Sequence, residues 1–201
     1  MKKLKQIKDL KIVLKDMEPY VKNPTFLTQG RRFSNFNMLV REAWANLLIC
    51  AVMEKITGER YTFQESNGDG IIGSVKLKTG FVVEHVCAMD FPAGKQPPQG
   101  EERVLWAIQH KATRGPEYAQ GKILVVFFDG AGTFIRSKIR ESIYGKHHFE
   151  SIVCIGLLTI DDTGYEYILT DYCDEYKDKS ISYRIKIPMD FSGWSIIQQM
   201  E

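Results

Sequence analysis

Gly68-Asp69-Gly70-Ile71-Ile72-Gly73-Ser74-Val75-Lys76-Leu77-Lys78-Thr79-Gly80-Phe81-Val82-Val83-Glu84-His85-Val86-Cys87 is the stretch that decides the fold. Two strand-forming runs, Ile71–Lys78 and Phe81–Cys87, flank Thr79-Gly80, and such a pair predicts a two-residue hairpin turn. Lys78 then faces Phe81, and Val75 faces Glu84. Side chains alternate along a strand, so Asp69, Ile71, Gly73, Val75 and Leu77 share a face with Val82, Glu84 and Val86. Glu84 thus stands on the more apolar face, where a carboxylate needs a partner; a metal ion is one candidate. The ideal hairpin leaves Asp69 roughly 17 Å along the strand from Val75. Bringing the two acids together calls for a bulge or bend at Gly68, Gly70 or Gly73.

Working outward, a strand over Tyr61–Glu65 precedes the hairpin and a long helix from about Ser34 to Ile56 precedes that strand. Ser34 or Asn35 can cap this helix, and Gly58 follows its end. Its core stripe is Phe36, Val40, Ala43, Trp44, Leu47, Ala51 and Val52, while Glu42 and Asn46 interrupt the neighbouring apolar ridge. Beyond the hairpin, a Pro- and Gly-rich loop (89–100) leads to a helix over Glu101–Thr113. Lys122–Phe128 is a near-continuous apolar run, the mark of a central strand covered on both faces. A helix over Thr133–Tyr144, strands at Ser151–Thr159 and Tyr165–Thr170, and an edge strand at Tyr183–Ile187 complete the pattern. Residues 2–17 have Leu4, Ile7, Leu10, Leu14 and Met17 at helical spacing among six lysines. This predicts a basic amphipathic helix or arm over 1–30, ended by Pro19 and Pro24, followed by a single α/β domain over 31–201. The helix would pack on the domain, on a second subunit or on DNA.

At 201 residues, with 44% hydrophobic and 26% charged side chains, the chain can bury one ordinary core. A net charge of +2 excludes a general polycation, so nucleic-acid contact must come from local patches. Cys50, Cys87, Cys154 and Cys173 form no C-x-x-C pair, which argues against a zinc site and for a reducing compartment. No stretch approaches a membrane span and no signal-peptide run follows Met1-Lys2-Lys3, so the expected location is cytoplasmic, with no membrane partner.

The order helix, three-strand meander, helix, strand, with Asp69 and Glu84 on the second and third strands, resembles the PD-(D/E)XK nucleases over about residues 34–130. The resemblance implies a restriction-endonuclease-like α-β-β-β-α-β core, a mixed sheet flanked by helices. It implies Mg²⁺ (or Mn²⁺) held by Asp69, Glu84 and the carbonyl of His85, with Glu42 at a second ion, and hydrolysis of DNA in a restriction-like or repair-like role. A homodimer would let two sites cut two strands, with the N-terminal helix a candidate for the contact. The chain departs from the motif at Val86, where the family has a lysine. Lys111, in Ala107-Ile108-Gln109-His110-Lys111, is the substitute whose helical ridge faces the core. Lys76 and the His85 ring fall on the wrong face. Arg31, Arg32, Arg114, Arg136, Lys138 and Arg140 are candidates for neutralising DNA phosphates.

Plainer roles exist for each residue. Asp69 suits a turn, Glu84 an ion pair with Lys111 or an arginine, Glu42 a helix surface, and Lys111 a snorkelling position. Val86 also leaves open a decayed site whose fold binds nucleic acid or a protein. A third candidate is a small phosphorylated substrate at Gly130-Ala131-Gly132. His147-His148 lacks a spaced third metal ligand.

Overall fold

The computed structural model describes residues 1–33, 37–66, 68–92, 94–128, 132–176 and 179–199. Its strands are β1 (Lys2–Lys3), β2 (Arg32–Phe33), β3 (Met38–Leu39), β4 (Tyr61–Ser66), β5 (Gly68–Ser74), β6 (Thr79–Cys87), β7 (Lys122–Phe128), β8 (Ser151–Asp161), β9 (Gly164–Tyr172), β10 (Ile181–Pro188) and β11 (Ser195–Gln199). The helices are α1 (Leu10–Val21), α2 (Thr25–Thr28), α3 (Val40–Thr57), α4 (Glu101–Ala112), α5 (Pro116–Ala119) and α6 (Arg136–Ile143). Strands β4 to β11 form one curled mixed sheet in sequence order, with β1 added beside β6. Both β6–β7 and β7–β8 are parallel; the other pairings are antiparallel.

The apolar run of β7 does what its composition requires. Val125 and Phe127 enter the layer under α1 and α3, while Leu124, Val126 and Phe128 enter the layer under α4 and α6. Trp44 of α3 is fully buried and meets the Tyr167 ring edge-on at 5.5 Å. Removing that side chain would cost about 3–5 kcal/mol. α3 begins at Val40 rather than near residue 34; the expected caps Ser34 and Asn35 lie outside the described residues. Its start is held by Glu42, whose Oε2 accepts from the Leu39 N–H at 2.9 Å. The C-terminal edge differs from expectation too. β10 lies inside the sheet and β11 forms the edge.

Residues 2–17 are not one helix. Asp9 caps α1 by accepting from the Lys11 N–H (2.9 Å), so the helix starts at Leu10 and continues through Pro19. Ahead of it, Lys2–Lys3 pair with Thr79–Gly80. The chain then crosses the sheet as a strap. Gln64 Oε1 accepts from the N–H groups of Lys5 (2.6 Å) and Gln6 (3.1 Å), and Thr62 Oγ1 from that of Lys8 (2.8 Å). Leu4, Leu10, Leu14 and Met17 are buried inside this chain while Ile7 is exposed, so most of the apolar stripe offered for contact with a second copy is already covered. Among the described residues, no helix is long and apolar enough to cross a membrane.

Candidate active site

The hairpin turns through residues 75–78, not at Thr79-Gly80. Lys78 takes the left-handed φ of 53° that closes this turn. Gly73 then lies opposite Gly80, where the backbones approach so closely that a Cβ on Gly73 would sit 2.2 Å from the Thr79 carbonyl oxygen. The facing glycines therefore fix the register. Ile71 pairs with Val82 and Gly70 with Val83, which brings Asp69 level with Glu84 without a bend. The shared face expected for these acids is the one observed; the separation is not.

That face meets the last turn of α4. Lys111 Nζ lies 2.7 Å from Glu84 Oε1, both side chains being about 90% removed from solvent. Lys122, which opens β7, stands 3.8 Å from Glu84 Oε2. Lys111 also donates to the Tyr118 hydroxyl at 3.3 Å. Burial works to raise the Glu84 pKa, but hydrogen bonds from Lys111 and Tyr118 and the two lysine charges outweigh it, so the carboxyl is lowered. Asp69 goes the other way. Burial raises it, the adjacent Glu84 adds to the rise, and the His85 N–H donating to Oδ2 at 2.6 Å only partly offsets them. Glu42 is raised by burial, with the Asp69 charge adding to it.

His85 contributes its backbone only. Its ring is buried on the α3 side, 3.0 Å from Asn46 Oδ1, and burial depresses its pKa to about 3. The ring is neutral at pH 7 and turned away from the acids. Asn46 thereby gains a role: the polar break in its ridge is the partner of His85. Gly70 allows this approach, because a Cβ there would meet Asn46 Nδ2 at 2.9 Å.

Two clefts open on the acids, and Glu42 and Asp69 line both. The larger, about 780 Å³, is rimmed by Lys2, Lys3, Lys5 and Arg32. The smaller, about 300 Å³, contains Lys111, Arg41, Arg114, Trp106 and His110. The remaining basic candidates lie elsewhere. Arg31 stacks over Phe26 at 4.2 Å. Arg136 donates to Ser182 Oγ at 2.7 Å, and Lys138 pairs with Glu101 at 3.1 Å. Glu101 opens α4 and Lys111 lies near its end, about 15 Å away by helical rise, so Lys138 on α6, the helix that also carries Arg140, stands apart from these acids. Lys76 pairs with Glu59 at 3.0 Å. Gly130 and Ala131 lie outside the described residues.

Sequence reasoning missed Lys122, although a lysine opening an apolar strand was a visible signal. It also missed Lys2, Lys3 and Lys5 as a groove wall, because it placed them on a helix. Arg41 and Trp106 carried no signal without the fold.

Carboxylate oxygens are the donor type that hard cations take. Three carboxylates stand close enough for Asp69 to be raised by Glu84 and Glu42 by Asp69, a repulsion that a divalent ion relieves. Among the described residues, no three His, Cys, Asp or Glu side chains form a group that could hold an ion. Magnesium tolerates this, since it is commonly held by one or two carboxylates and completes its shell with water and substrate phosphate. Comparisons with protein-family models, curated proteins and solved structures gave no match.

Proposed function

We propose that the chain is a metal-dependent nuclease of the PD-(D/E)XK type that hydrolyses phosphodiester bonds in DNA. The observation that carries this is Lys111 Nζ at 2.7 Å from Glu84 Oε1, with Asp69 on the neighbouring strand level with Glu84. A lysine supplied by the helix would replace the one absent at Val86. Further support comes from the order of α3, β4, β5, β6, α4 and β7. Asp69, Glu84 and the His85 carbonyl would hold Mg²⁺ or Mn²⁺, with Glu42 beside them. The ion supplies polarisation of the phosphate and activation of water. Lys111 would orient the attacking water and offset charge that grows on the phosphate. Tyr118 and Lys122 would hold Glu84 ionised and in place.

The alternative, a decayed site in a binding module, draws on Val86. It expects Lys111 to face solvent, and the buried Lys111–Glu84 pair counts against it. The deciding experiment offers plasmid, linear and single-stranded DNA to wild type, Glu84→Gln and Lys111→Ala with Mg²⁺, Mn²⁺ or EDTA. Metal-dependent cutting lost in both variants is the expected result. Binding without cutting by the wild type on every substrate would overturn the nuclease in favour of the module.

A further inference from the structure

The two clefts differ in chemistry, and the difference bears on the form in which DNA enters. The larger has a lysine rim and, among the described residues, no aromatic lining, the wall expected along a phosphate backbone. The smaller is lined by Trp106 and His110, the last two rings of a ladder. Phe91 lies 4.6 Å from Trp106, and Trp106 lies 5.6 Å from His110 with the two planes only 10° apart. His110 is exposed and ends the ladder at the cleft. Arg114 lies in the same cleft, with its guanidinium over the Tyr118 ring at 4.9 Å.

Flat rings inside a cleft find no free base face on a continuous duplex, whose bases are stacked on one another and must be unstacked at a cost to receive a ring. They offer a stacking face to an unpaired base. A volume of about 300 Å³ suits a single nucleotide rather than a double helix. The acids common to both clefts mark where backbone and base environments meet.

We infer that the site takes its DNA as an unpaired strand, its phosphates running along the Lys2–Lys3–Lys5 rim and a base beside the scissile bond stacking on the Trp106–His110 ladder. The inference rests on the nuclease proposal for the position of the scissile phosphate. The substrates are then single-stranded DNA, or ends and flaps of a duplex, rather than continuous duplex.

The test measures binding without cutting. Labelled single-stranded oligonucleotide and the duplex of the same sequence are titrated in EDTA and followed by fluorescence anisotropy. The single strand is expected to bind more tightly, and His110→Ala to weaken it about five- to a hundredfold, the range for losing one stacked base. Duplex affinity should be unchanged in that variant. His110 is a surface residue, so thermal melting should match wild type; tryptophan quenching of the wild type by single strand, absent in Trp106→Leu, is a second readout independent of His110. Equal or tighter duplex binding, or single-strand affinity indifferent to His110→Ala with no quenching, overturns the inference. Cutting that requires Glu84 but ignores His110 and prefers duplex would leave the nuclease standing and remove the unpaired strand. Tight single-strand binding through His110 with no metal-dependent cutting would do the reverse.

Discussion

The sheet withdraws acids from water at its β5–β6 end and on β9, and two of these acids are accommodated differently. At the β5–β6 end, Asp69 and Glu84 stand side by side, one raised and one lowered, with Lys111 and Lys122 beside them and two clefts opening on Asp69. On β9, Asp171 is a lone acid. Its partners are neutral hydroxyls, Ser151 Oγ donating to Oδ1 and Tyr176 donating to Oδ2 at 3.5 Å, and burial raises its pKa. Neutral donors satisfy a carboxyl in either protonation state. They create no charge imbalance for a ligand to relieve. A buried acid is therefore weak evidence of chemistry; two acids that perturb each other, faced by cations and open to a cleft, are stronger evidence.

The sharpest way to break that contrast is activity. Glu84→Gln should lower DNA cleavage by about a hundredfold or more, and Asp171→Asn should leave it within about twofold of wild type. Equal losses in the two variants would mean that both acts are structural. Stability comes next. Lys111→Met leaves Glu84 with the Tyr118 hydrogen bond and the longer Lys122 contact and should cost about 2–4 kcal/mol; Ser151→Ala should cost about 1 kcal/mol, because Asp171 keeps the Tyr176 hydroxyl as a donor. Urea denaturation midpoints compare the two.

A smaller effect concerns the histidine behind Asp69. The folded pKa of His85 is depressed from 6.5 to about 3, so its contribution is complete above 6.5 and is lost as pH falls toward 3. His85→Gln should flatten the acid limb of the stability profile by up to about 1.4 kcal/mol per pH unit. The smallest effect distinguishes the two kinds of acid directly. Stability from Glu84, whose pKa is lowered from 4.5, is present above 4.5 and lost as pH falls through its folded value. Stability from Asp171, whose pKa is raised from 3.8, is present below 3.8 and lost as pH rises through its folded value. Glu84→Gln should therefore flatten the acid side of the curve, and Asp171→Asn the side above it. Slopes of the same sign would remove the distinction.

Face was legible in the sequence and register was not. Strand alternation alone put Asp69 with Glu84 and turned the His85 ring away, and helical spacing chose Lys111. These assignments depend only on parity, which survives a misplaced turn. Register depends on which residues turn the chain. Thr79-Gly80 carries a turn signature, yet Gly80 is needed against Gly73 and the turn falls on Val75–Lys78, with no glycine in it. The strap was hidden for a related reason. Leu4, Ile7, Leu10 and Leu14 keep helical spacing through a segment whose backbone bonds are taken by Gln64 and Thr62, nearly sixty residues away. Local periodicity cannot report a partner that distant.

The strap has a consequence for synthesis. Residues 2–8 precede their partners, at 62–64 and 78–80, by more than fifty residues. On a ribosome they must wait, unpaired and lysine-rich, until the hairpin has emerged. The groove wall that contains Lys2, Lys3 and Lys5 is thus made before the strands it joins and installed late. A nascent chain lacks that wall, and the order of manufacture keeps the groove from being complete until the strands it serves exist.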